Sequence, residues 1–437
     1  MKITFYENSL SNLREFFHNL IKYNEMIMTP FDVASSIVKK LQDHGFAAYF
    51  TGGWVRDYLM DHPSDDIDIA TDAPVETLQK LFKKTIPVGI QFGILIVVEN
   101  HLHFEVATFR KETEYKDGRR PEKIEKATPQ EDAKRRDFTI NGMFYDPLTK
   151  QVIDYVRGKE DLQKKMIRAI GNPHERFLED RLRMIRAARY ATRFHFTLEP
   201  ETKSAIIAHA QDLFPAVAIE RVWQEFSKMQ KFGSFKGFLI LLHDLKLLQV
   251  IFPEISHFTY QDLAIHLQPL DLFPKQTPLV AKLLLLFPYY DLQEKLKFCD
   301  RFKLSNEDRR FVTYLDKVIN LLNTAERDRY SLVKAYAEGP FMLCCAIATA
   351  SLEKELRQDI YHFHEKKILK FSKAIERIQN KTPLVSSNHL RLHGISPGKV
   401  MGILLHEAEK MAINEHLEDP DLVIERLKMS PAWPKKA

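Results

Sequence analysis

The chain is 437 residues long, more than one hydrophobic core usually organises, so its length predicts two or more domains. A composition of 45% hydrophobic and 28% charged residues, with 30 Phe, is typical of a globular protein and excludes a disordered chain. The formal net charge of +5 suits a polyanionic partner but lacks the extreme basicity of a protein that coats nucleic acid.

The cysteines and the N-terminus narrow the class of protein further. Cys299, Cys344 and Cys345 form no C-x-x-C pair, which argues against a zinc site or a disulfide framework and fits a reducing cytoplasm. Charged residues interrupt the first apolar stretch, and no uncharged apolar run reaches the roughly 18 residues that a membrane span needs. We therefore expect a cytoplasmic protein without membrane contact, in which residues 1–28 are an N-terminal extension.

The predicted elements change character along the chain. Apolar residues between Phe31 and Gln42 follow helical spacing. A charged stretch from Arg110 to Asp132 predicts a mobile loop. Alternating or continuous apolar patterns predict strands at 47–51, 66–69, 94–98, 103–109, 138–144 and 151–155. Amphipathic patterns after about Glu175 predict helices at 176–192, 219–229 and 235–250. The predicted fold class is α+β, with a small mixed or antiparallel sheet followed by an all-α region.

A pair of acidic residues occupies the predicted strand 66–69. Asp66 and Asp68 would share one face of the strand, while Ile67 and Ile69 would point to the core. Paired carboxylates can bind Mg²⁺ and leave coordination places for substrate phosphates, as nucleotidyl transfer requires. Alone, such a pair is more often a solvated surface feature.

A glycine turn precedes the acids. Gly52 and Gly53 follow the strand 47–51, and their missing side chains would let backbone N–H groups approach phosphate oxygens. Arg56 would add positive charge to the same phosphates. The structural alternative is a tight strand-to-helix turn with a surface pair of Arg56 and Asp57.

Together, the glycine turn and the acidic strand resemble the signature of the DNA polymerase beta superfamily of nucleotidyltransferases. More narrowly, they resemble its class II branch, which contains tRNA CCA-adding enzymes and bacterial poly(A) polymerases. The resemblance extends from about residue 47 to residue 230. It implies a nucleotidyltransferase head at 29–168, a helical neck with a nucleobase-reading motif at 169–235, and a helical body and tail that bind RNA at 236–437.

The resemblance also implies roles for three residues of the head. Arg136 and Asp137 lie in the string Arg-Arg-Asp-Phe-Thr-Ile-Asn and would face the sugar hydroxyls, favouring ribonucleotides, since a carboxylate accepts a hydrogen bond from a 2′-OH. Glu105 falls where the superfamily places a third acid, which would orient or deprotonate the attacking hydroxyl. A structural glutamate is the alternative for that position.

In the neck, Asp180 and Arg183 resemble the nucleobase-selecting motif of the branch. Without that context, they would form an ordinary i,i+3 ion pair on one helix face. As a base reader, the arginine donates and the aspartate accepts hydrogen bonds, which matches cytosine and adenine but not guanine or uracil. The resemblance places Arg186 and Arg189, further along the helix, near the triphosphate.

These observations predict a template-independent enzyme that adds CCA to the 3′ end of tRNA from CTP and ATP, using two Mg²⁺ ions and no obligate protein partner. The segment 88–93 resembles the CCA-adding side of the branch. Alternatives are a poly(A) polymerase, an enzyme that adds only CC or only A, and a non-enzymatic RNA-binding scaffold with an inactive catalytic fold. The sequence has no P-loop, Gly-x-Ser-x-Gly or zincin motif, which excludes the common nucleotide, serine and zinc hydrolases.

Overall fold

The computed structural model describes residues 28–62, 64–89, 93–115, 121–324 and 328–434. The chain divides into two compact units, of which unit 1 ends at Ser256 and unit 2 begins at His257. The predicted N-terminal extension, apart from Met28, lies outside the described residues. The same holds for residues 90–92 of the segment 88–93.

Unit 1 contains the sheet that the sequence predicts. Its strands are β1 (Ala48–Thr51), β2 (Asp68–Thr71), β3 (Thr85–Gly89), β4 (Ile94–Glu99), β5 (Leu102–Thr108), β6 (Arg110–Tyr115), β7 (Pro121–Lys126), β8 (Phe144–Asp146), β9 (Gln151–Ile153), β10 (Met166–Ile167) and β11 (Thr197–Leu198). The main sheet has the order β3-β4-β5-β2-β1-β8-β9, in which β2 and β5 are parallel and the other neighbours are antiparallel. This mixed sheet, followed by helices, confirms the predicted α+β class.

Helices cover the sheet and form the rest of unit 1. They are α1 (Pro30–Asp43), α2 (Gly53–Leu59), α3 (Val75–Leu81), α4 (Pro129–Lys134), α5 (Gly158–Gln163), α6 (Pro173–Glu179), α7 (Leu182–Phe194), α8 (Pro200–His209), α9 (Ile219–Met229), α10 (Phe235–Asp244) and α11 (Leu247–Ile251). Thr29 caps α1 through a capping box with Asp32, as helix starts prefer. Val33, Ile37 and Leu41 of α1 are buried in the core of the sheet, because helical spacing places them on one face.

One loop prediction and one strand prediction are wrong. The stretch from Arg110 to Asp132 is not an unstructured loop, because β6 and β7 pair antiparallel and α4 begins at Pro129. Backbone hydrogen bonds form such a hairpin even where charged side chains hide the strand pattern. In the predicted strand 138–144, residues 139–141 form a 3₁₀ turn, and β8 begins only at Phe144.

Two helix predictions are also wrong, since each predicted helix is broken. The stretch 176–192 contains a break after Glu179, where Asp180 has an extended backbone (φ −146°, ψ 103°). The stretch 235–250 is broken between Asp244 and Leu247, where Lys246 has a left-handed backbone (φ 62°). Apolar spacing continues across both breaks, so periodicity alone does not reveal them.

Unit 2 is helical in its described part. Its helices are α12 (Tyr260–His266), α13 (Leu279–Leu284), α14 (Leu292–Arg301), α15 (Asn306–Asn323), α16 (Arg329–Glu338), α17 (Phe341–Thr349), α18 (Lys354–Lys370), α19 (Ser372–Asn380), α20 (Ser387–Leu392), α21 (Lys399–Glu415) and α22 (Pro420–Lys428). One apolar core includes Val318, Tyr336 and Phe341, and a second includes Leu404 and Leu427. Of the helices described, none has by itself the length and apolar composition of a membrane span, although α16 and α17, bent by 104°, pass this test as a pair.

Candidate active site

Gly52 directly follows β1 and brings the backbone close to two of the predicted site residues. Its backbone (φ 72°, ψ −139°) is one that side-chain-bearing residues rarely adopt. A Cβ atom at this position would lie 3.4 Å from Asp68 Oδ2 and 3.8 Å from Arg136 Nη1. The glycine turn, one acid and the predicted ribose-reading arginine therefore meet at one place.

Three acids lie at this end of the sheet. Asp68 pairs with Thr51 of β1, and the parallel register of β2 and β5 brings the Asp68 end of β2 beside the Glu105 region of β5. Burial and the negative charges of Glu105 and Asp66, opposed by the positive charge of Arg136, together raise the pKa of Asp68 to about 7. Asp66 precedes β2 and is exposed, so the prediction that both aspartates lie within the strand is wrong for Asp66.

This donor set fits a divalent cation that shares its coordination with a substrate. Among the described residues, no group of three or more His, Cys, Asp or Glu side chains forms a ready-made metal cage. Mg²⁺ is usually bound through one or two carboxylates together with substrate phosphates, so a closed cage is not required. The negative charges of Glu105 and Asp66 repel that of Asp68, and a bound cation would relieve this repulsion.

Arg136 is held beside Asp68 by a residue that the sequence interpretation missed. Asp132, which is 1% exposed, accepts hydrogen bonds from Arg136 Nη2 at 2.9 Å and from Arg135 Nε at 2.8 Å. The same carboxylate accepts from the backbone N–H of Arg110, at the start of β6, at 3.2 Å. The only sequence signal for these ion pairs was the spacing, because Asp132 lies on α4 three and four residues before Arg135 and Arg136.

Asp137 belongs to a chain of hydrogen bonds from the head to α7. Arg186 donates to Asp137 Oδ2 at 2.8 and 2.6 Å, and Asn141 Nδ2 donates to Asp137 Oδ1 at 3.1 Å. Burial raises the pKa of Asp137, but the charge of Arg186 and these hydrogen bonds outweigh it and hold that pKa well below its usual range. Asp137 therefore stays ionised as a hydrogen-bond acceptor.

Arg56 lies at the other end of this chain. Its Nη1 donates to Asn141 Oδ1 at 2.6 Å, and its Nε donates to Asp57 Oδ1 at 2.8 Å. The side chain is 3% exposed and lies over the ring of Phe194, with its guanidinium carbon 4.5 Å from the ring centroid. The Arg56–Asp57 pair is thus present, although it is more enclosed than a surface pair.

Asp180 pairs with Arg221 of α9, the helix that the sequence predicts at 219–229. Arg221 Nη1 and Nη2 donate to Asp180 Oδ1 and Oδ2 at 3.1 and 2.9 Å. The expectation that Asp180 and Arg183 share one helix face is wrong, because Asp180 is extended and α7 begins only at Leu182. The backbone N–H of Leu182 donates to Asp180 Oδ1 at 3.1 Å.

Arg183 makes its contacts at the junction of α6 and α7. Its Nη1 donates to Glu179 Oε2 at 2.6 Å and to the carbonyl of Arg176 at 2.9 Å, and its Nη2 donates to the carbonyl of Arg135 at 3.3 Å. Asp180 and Arg183 nevertheless lie at the same junction, since the backbone N–H of Arg183 donates to the carbonyl of Asp180 at 3.0 Å.

The remaining arginine of the predicted phosphate pair is buried in the neck. Arg189 is 4% exposed and forms an ion pair with Glu225, which also accepts from Lys228 at 2.9 Å. Its guanidinium carbon lies 4.2 Å from the ring centroid of Tyr190. Arg186, by contrast, keeps 29% of its side chain exposed.

Comparison with known proteins identifies the family. Residues 48–168 match the family model "Poly A polymerase head domain", and residues 195–259 match "Probable RNA and SrmB- binding site of polymerase A". A CCA-adding enzyme of Ligilactobacillus salivarius is 31% identical over 432 residues, which cover 92% of this chain and 98% of that protein.

Two solved structures share the fold over most of the chain. The CCA-adding enzyme of Bacillus stearothermophilus in complex with CTP has a TM-score of 0.74 at 24% identity, covering 92% of this chain and 99% of that one. The Thermotoga maritima CCA-adding enzyme complexed with tRNA has a TM-score of 0.64 at 20% identity, covering 91% and 94%. Because one relative matches the chain over nearly its full length and the head matches the family model, the chain belongs to the class II nucleotidyltransferase family of CCA-adding enzymes and poly(A) polymerases.

Proposed function

We propose that this chain completes the 3′ end of tRNA by adding cytidine and adenosine nucleotides from CTP and ATP, with release of pyrophosphate. The observation that carries the proposal is the meeting of Gly52, Asp68 and Arg136, with the charges of Asp66 and Glu105 acting on Asp68. The CCA-adding relatives solved with CTP and with tRNA support the same substrates.

Asp66 and Asp68 would hold Mg²⁺, which supplies charge neutralisation to the triphosphate when it is bound. The 3′ hydroxyl of the RNA attacks the α-phosphate, a new phosphodiester bond forms, and the bond to the β-phosphate breaks as pyrophosphate leaves. Glu105 is assigned to orienting that hydroxyl or accepting its proton. The chain contributes mainly positioning and electrostatics to this in-line displacement.

The other predicted residues are assigned to the nucleotide. The backbone at Gly52 and Gly53 faces the phosphates, and Asp137, kept ionised by Arg186, accepts from the ribose hydroxyl together with Arg136. Arg186, partly exposed, is assigned to the triphosphate. Arg56 and Arg189 are both buried in ion pairs, so they would act on the nucleotide through Asn141 and Tyr190.

Asp180 and Arg183 are assigned to reading the nucleobase. Cytosine and adenine both present a ring-nitrogen acceptor beside an exocyclic amine donor. Guanine and uracil present the reverse pattern and would leave a buried polar group unpaired, at a cost of ~1–3 kcal/mol per group. The pair therefore admits CTP and ATP and rejects GTP and UTP.

To test the proposal, tRNA trimmed of its 3′ CCA is incubated with CTP, ATP or both, and the products are separated on a sequencing gel. We expect two additions with CTP alone and three with both nucleotides, after which extension stops. The family model named for poly(A) polymerase favours one second candidate, a poly(A) polymerase. Long A tails on unrelated RNA would establish that alternative, and additions limited to CC or to A would indicate a partial enzyme.

A further inference from the structure

Two histidines of unit 1 face each other where α6 packs against α8. His174 lies in the first turn of α6, and His209 is the last residue of α8. His174 Nδ1 lies 3.1 Å from His209 Nε2, and the centroids of the two rings are 5.2 Å apart. Both side chains are partly buried, and neither is assigned to the nucleotide. The two rings therefore form a cluster of ligating groups that the proposed function does not use.

An acid determines which nitrogen of His209 carries a proton. His209 Nδ1 lies 3.0 Å from Oδ2 of Asp212, in the 3₁₀ turn Ala210–Leu213 that follows α8. An ionised carboxylate only accepts hydrogen bonds, so His209 Nδ1 is protonated and donates to it. In the neutral ring, Nε2 then has a free lone pair, on the side that faces His174. A carboxylate on the far nitrogen of an imidazole is the arrangement that orients metal-binding histidines.

The distance between the two facing nitrogens is close to that of two ligands of one ion. Zn–N bonds of about 2.0–2.1 Å place two nitrogens roughly 3.3 Å apart around a tetrahedral ion. His174 Nδ1 and His209 Nε2 are 3.1 Å apart and share a hydrogen bond, in which His174 is the donor because His209 Nε2 is the acceptor. An ion replaces this hydrogen bond when His174 adopts its other neutral tautomer, with the proton on Nε2, so the exchange needs no net loss of a proton.

The type of ligand selects the kind of cation. Neutral imidazole suits Zn²⁺ and other late first-row ions, whereas Mg²⁺ prefers oxygen ligands. Within the part of the chain that the structure describes, no third His, Cys, Asp or Glu completes the set, so water fills the remaining coordination places. A hydrated ion can reach the pair, because 18% of the His209 side chain is exposed.

We propose that His174 and His209 form a binding site for Zn²⁺ or a cation of the same class, oriented by Asp212 and separate from the acids assigned to Mg²⁺. The bound ion joins the start of α6 to the end of α8. Arg176, two residues after His174, donates to the backbone carbonyl of Arg136 at 2.7 Å, so α6 is also attached to the head. The ion therefore stabilises unit 1 without touching the groups assigned to the reaction.

The test measures Zn²⁺ binding to the full chain by equilibrium dialysis, with Mg²⁺ in excess to occupy the oxygen sites. The site variants are His174→Gln, His209→Gln and Asp212→Ala. The control is His362→Gln, because His362 is an exposed histidine that also has an acid three residues later, with its Nδ1 4.0 Å from Glu365 Oε2. Thermal unfolding and CTP addition with Mg²⁺ are recorded for every protein.

We expect the unmodified chain and His362→Gln to bind one more Zn²⁺ ion per chain than either His174→Gln or His209→Gln. Asp212→Ala should weaken this binding by about tenfold, because His209 loses the partner that fixes its tautomer. Saturating Zn²⁺ should raise the midpoint of thermal unfolding of the unmodified chain by at least about 2 °C, and this rise should be absent from both histidine variants. CTP addition with Mg²⁺ alone should stay within about twofold in all of them.

Equal Zn²⁺ binding in the unmodified chain and both histidine variants would overturn the proposal. Loss in only one of the two variants would also overturn it, because the two rings would then not share an ion. A measurement on the unmodified chain covers the case in which a variant does not fold. Modification of His174 and His209 by diethyl pyrocarbonate, followed by mass spectrometry, should be slowed at both residues by Zn²⁺ and not by Mg²⁺, and unchanged rates would contradict the site.

Discussion

At Gly52 the backbone lies close to Asp68. Its conformation (φ 72°, ψ −139°) costs an alanine about 1–3 kcal/mol, and the new methyl group would lie 3.4 Å from Asp68 Oδ2. We expect Gly52→Ala to lower kcat for CTP addition by at least about tenfold, because it disturbs the position of Asp68 as well as the backbone.

Gly45 provides a matched control for this change. It also has a positive φ, of 82°, but a Cβ atom there would have no heavy atom within 4 Å. Gly45→Ala should therefore destabilise the chain to a similar extent, as measured by thermal unfolding, and retain the addition rate. Equal loss of activity in both variants would show that Gly52 matters only for folding.

Arg183 and Arg186 are predicted to contact different parts of the nucleotide, the base and the triphosphate. Arg183→Ala should weaken discrimination against UTP and GTP more than it weakens binding, because it removes a donor to the base. Arg186→Ala should raise KM for all nucleotides alike, since it removes a charge assigned to the triphosphate and leaves Asp137 without its ion-pair partner. Steady-state kinetics with four nucleotides measure both effects, and the reverse pattern would show that the roles are exchanged.

At the residue scale, the sequence predicted the site residues but not the residues with which they form hydrogen bonds and ion pairs. The resemblance to the nucleotidyltransferase family placed Gly52, Asp68 and Arg136 in one site, and the three residues lie close together in the structure. The pairing of Asp180 with Arg221 joins residues 41 positions apart on separate helices, so spacing could not reveal it. A local i,i+3 pair was the natural expectation, and the extended backbone of Asp180 removes it.

At the element scale, α4 connects the β6–β7 hairpin to the site. Asp132 accepts from the backbone of Arg110 and from both Arg135 and Arg136. Burial raises the pKa of Asp132, but the two arginines outweigh it and leave that pKa below its usual value. We expect Asp132→Asn to reduce the free energy of unfolding by about 3 kcal/mol, because it leaves buried guanidinium groups without their counter-charge.

Glu131→Gln is the control for Asp132→Asn, because it removes the neighbouring charge and preserves a side chain that can accept from Thr128 in the capping box. Chemical denaturation monitored by circular dichroism compares the two variants. Because the folded pKa of Asp132 is depressed, its contribution is present above the ordinary aspartate pKa and is lost as pH falls through the folded value. An equal stability in both variants would contradict this role for Asp132.

Elements with strong patterns were predicted well, and those defined by tertiary contacts were not. The β1, β4 and β5 strands fall within about one residue of the predicted runs, since alternating or continuous apolar residues mark them. The hairpin β6–β7 was missed because backbone hydrogen bonds hold its two strands together, while its charged side chains show no strand pattern. The break at Asp180 was missed because apolar spacing continues through it, and because the partner of the Asp180 carboxylate, Arg221, lies on another helix.

For the whole molecule, length and charge indicated a chain of more than one domain with an anionic partner, and the described chain divides into two compact units. The residues that would contact RNA in the helical region carry no motif, so the sequence could assign that region only through the family resemblance. All the residues assigned to catalysis lie in unit 1, so we expect changes to them to leave RNA binding by the helices of unit 2 in place.

The most direct test of this account measures nucleotide addition and tRNA binding in the same preparations of Asp66→Asn, Asp68→Asn and the control Asp65→Asn. Asp65 is an exposed neighbour without an assigned role, so its variant should behave as the unmodified chain. We predict that either site variant lowers CTP and ATP incorporation at least about a hundredfold, while the Kd for trimmed tRNA stays within about threefold. Incorporation near the unmodified rate in Asp68→Asn with Mg²⁺, or a loss of tRNA binding that accounts for the lost activity, would contradict the assigned site.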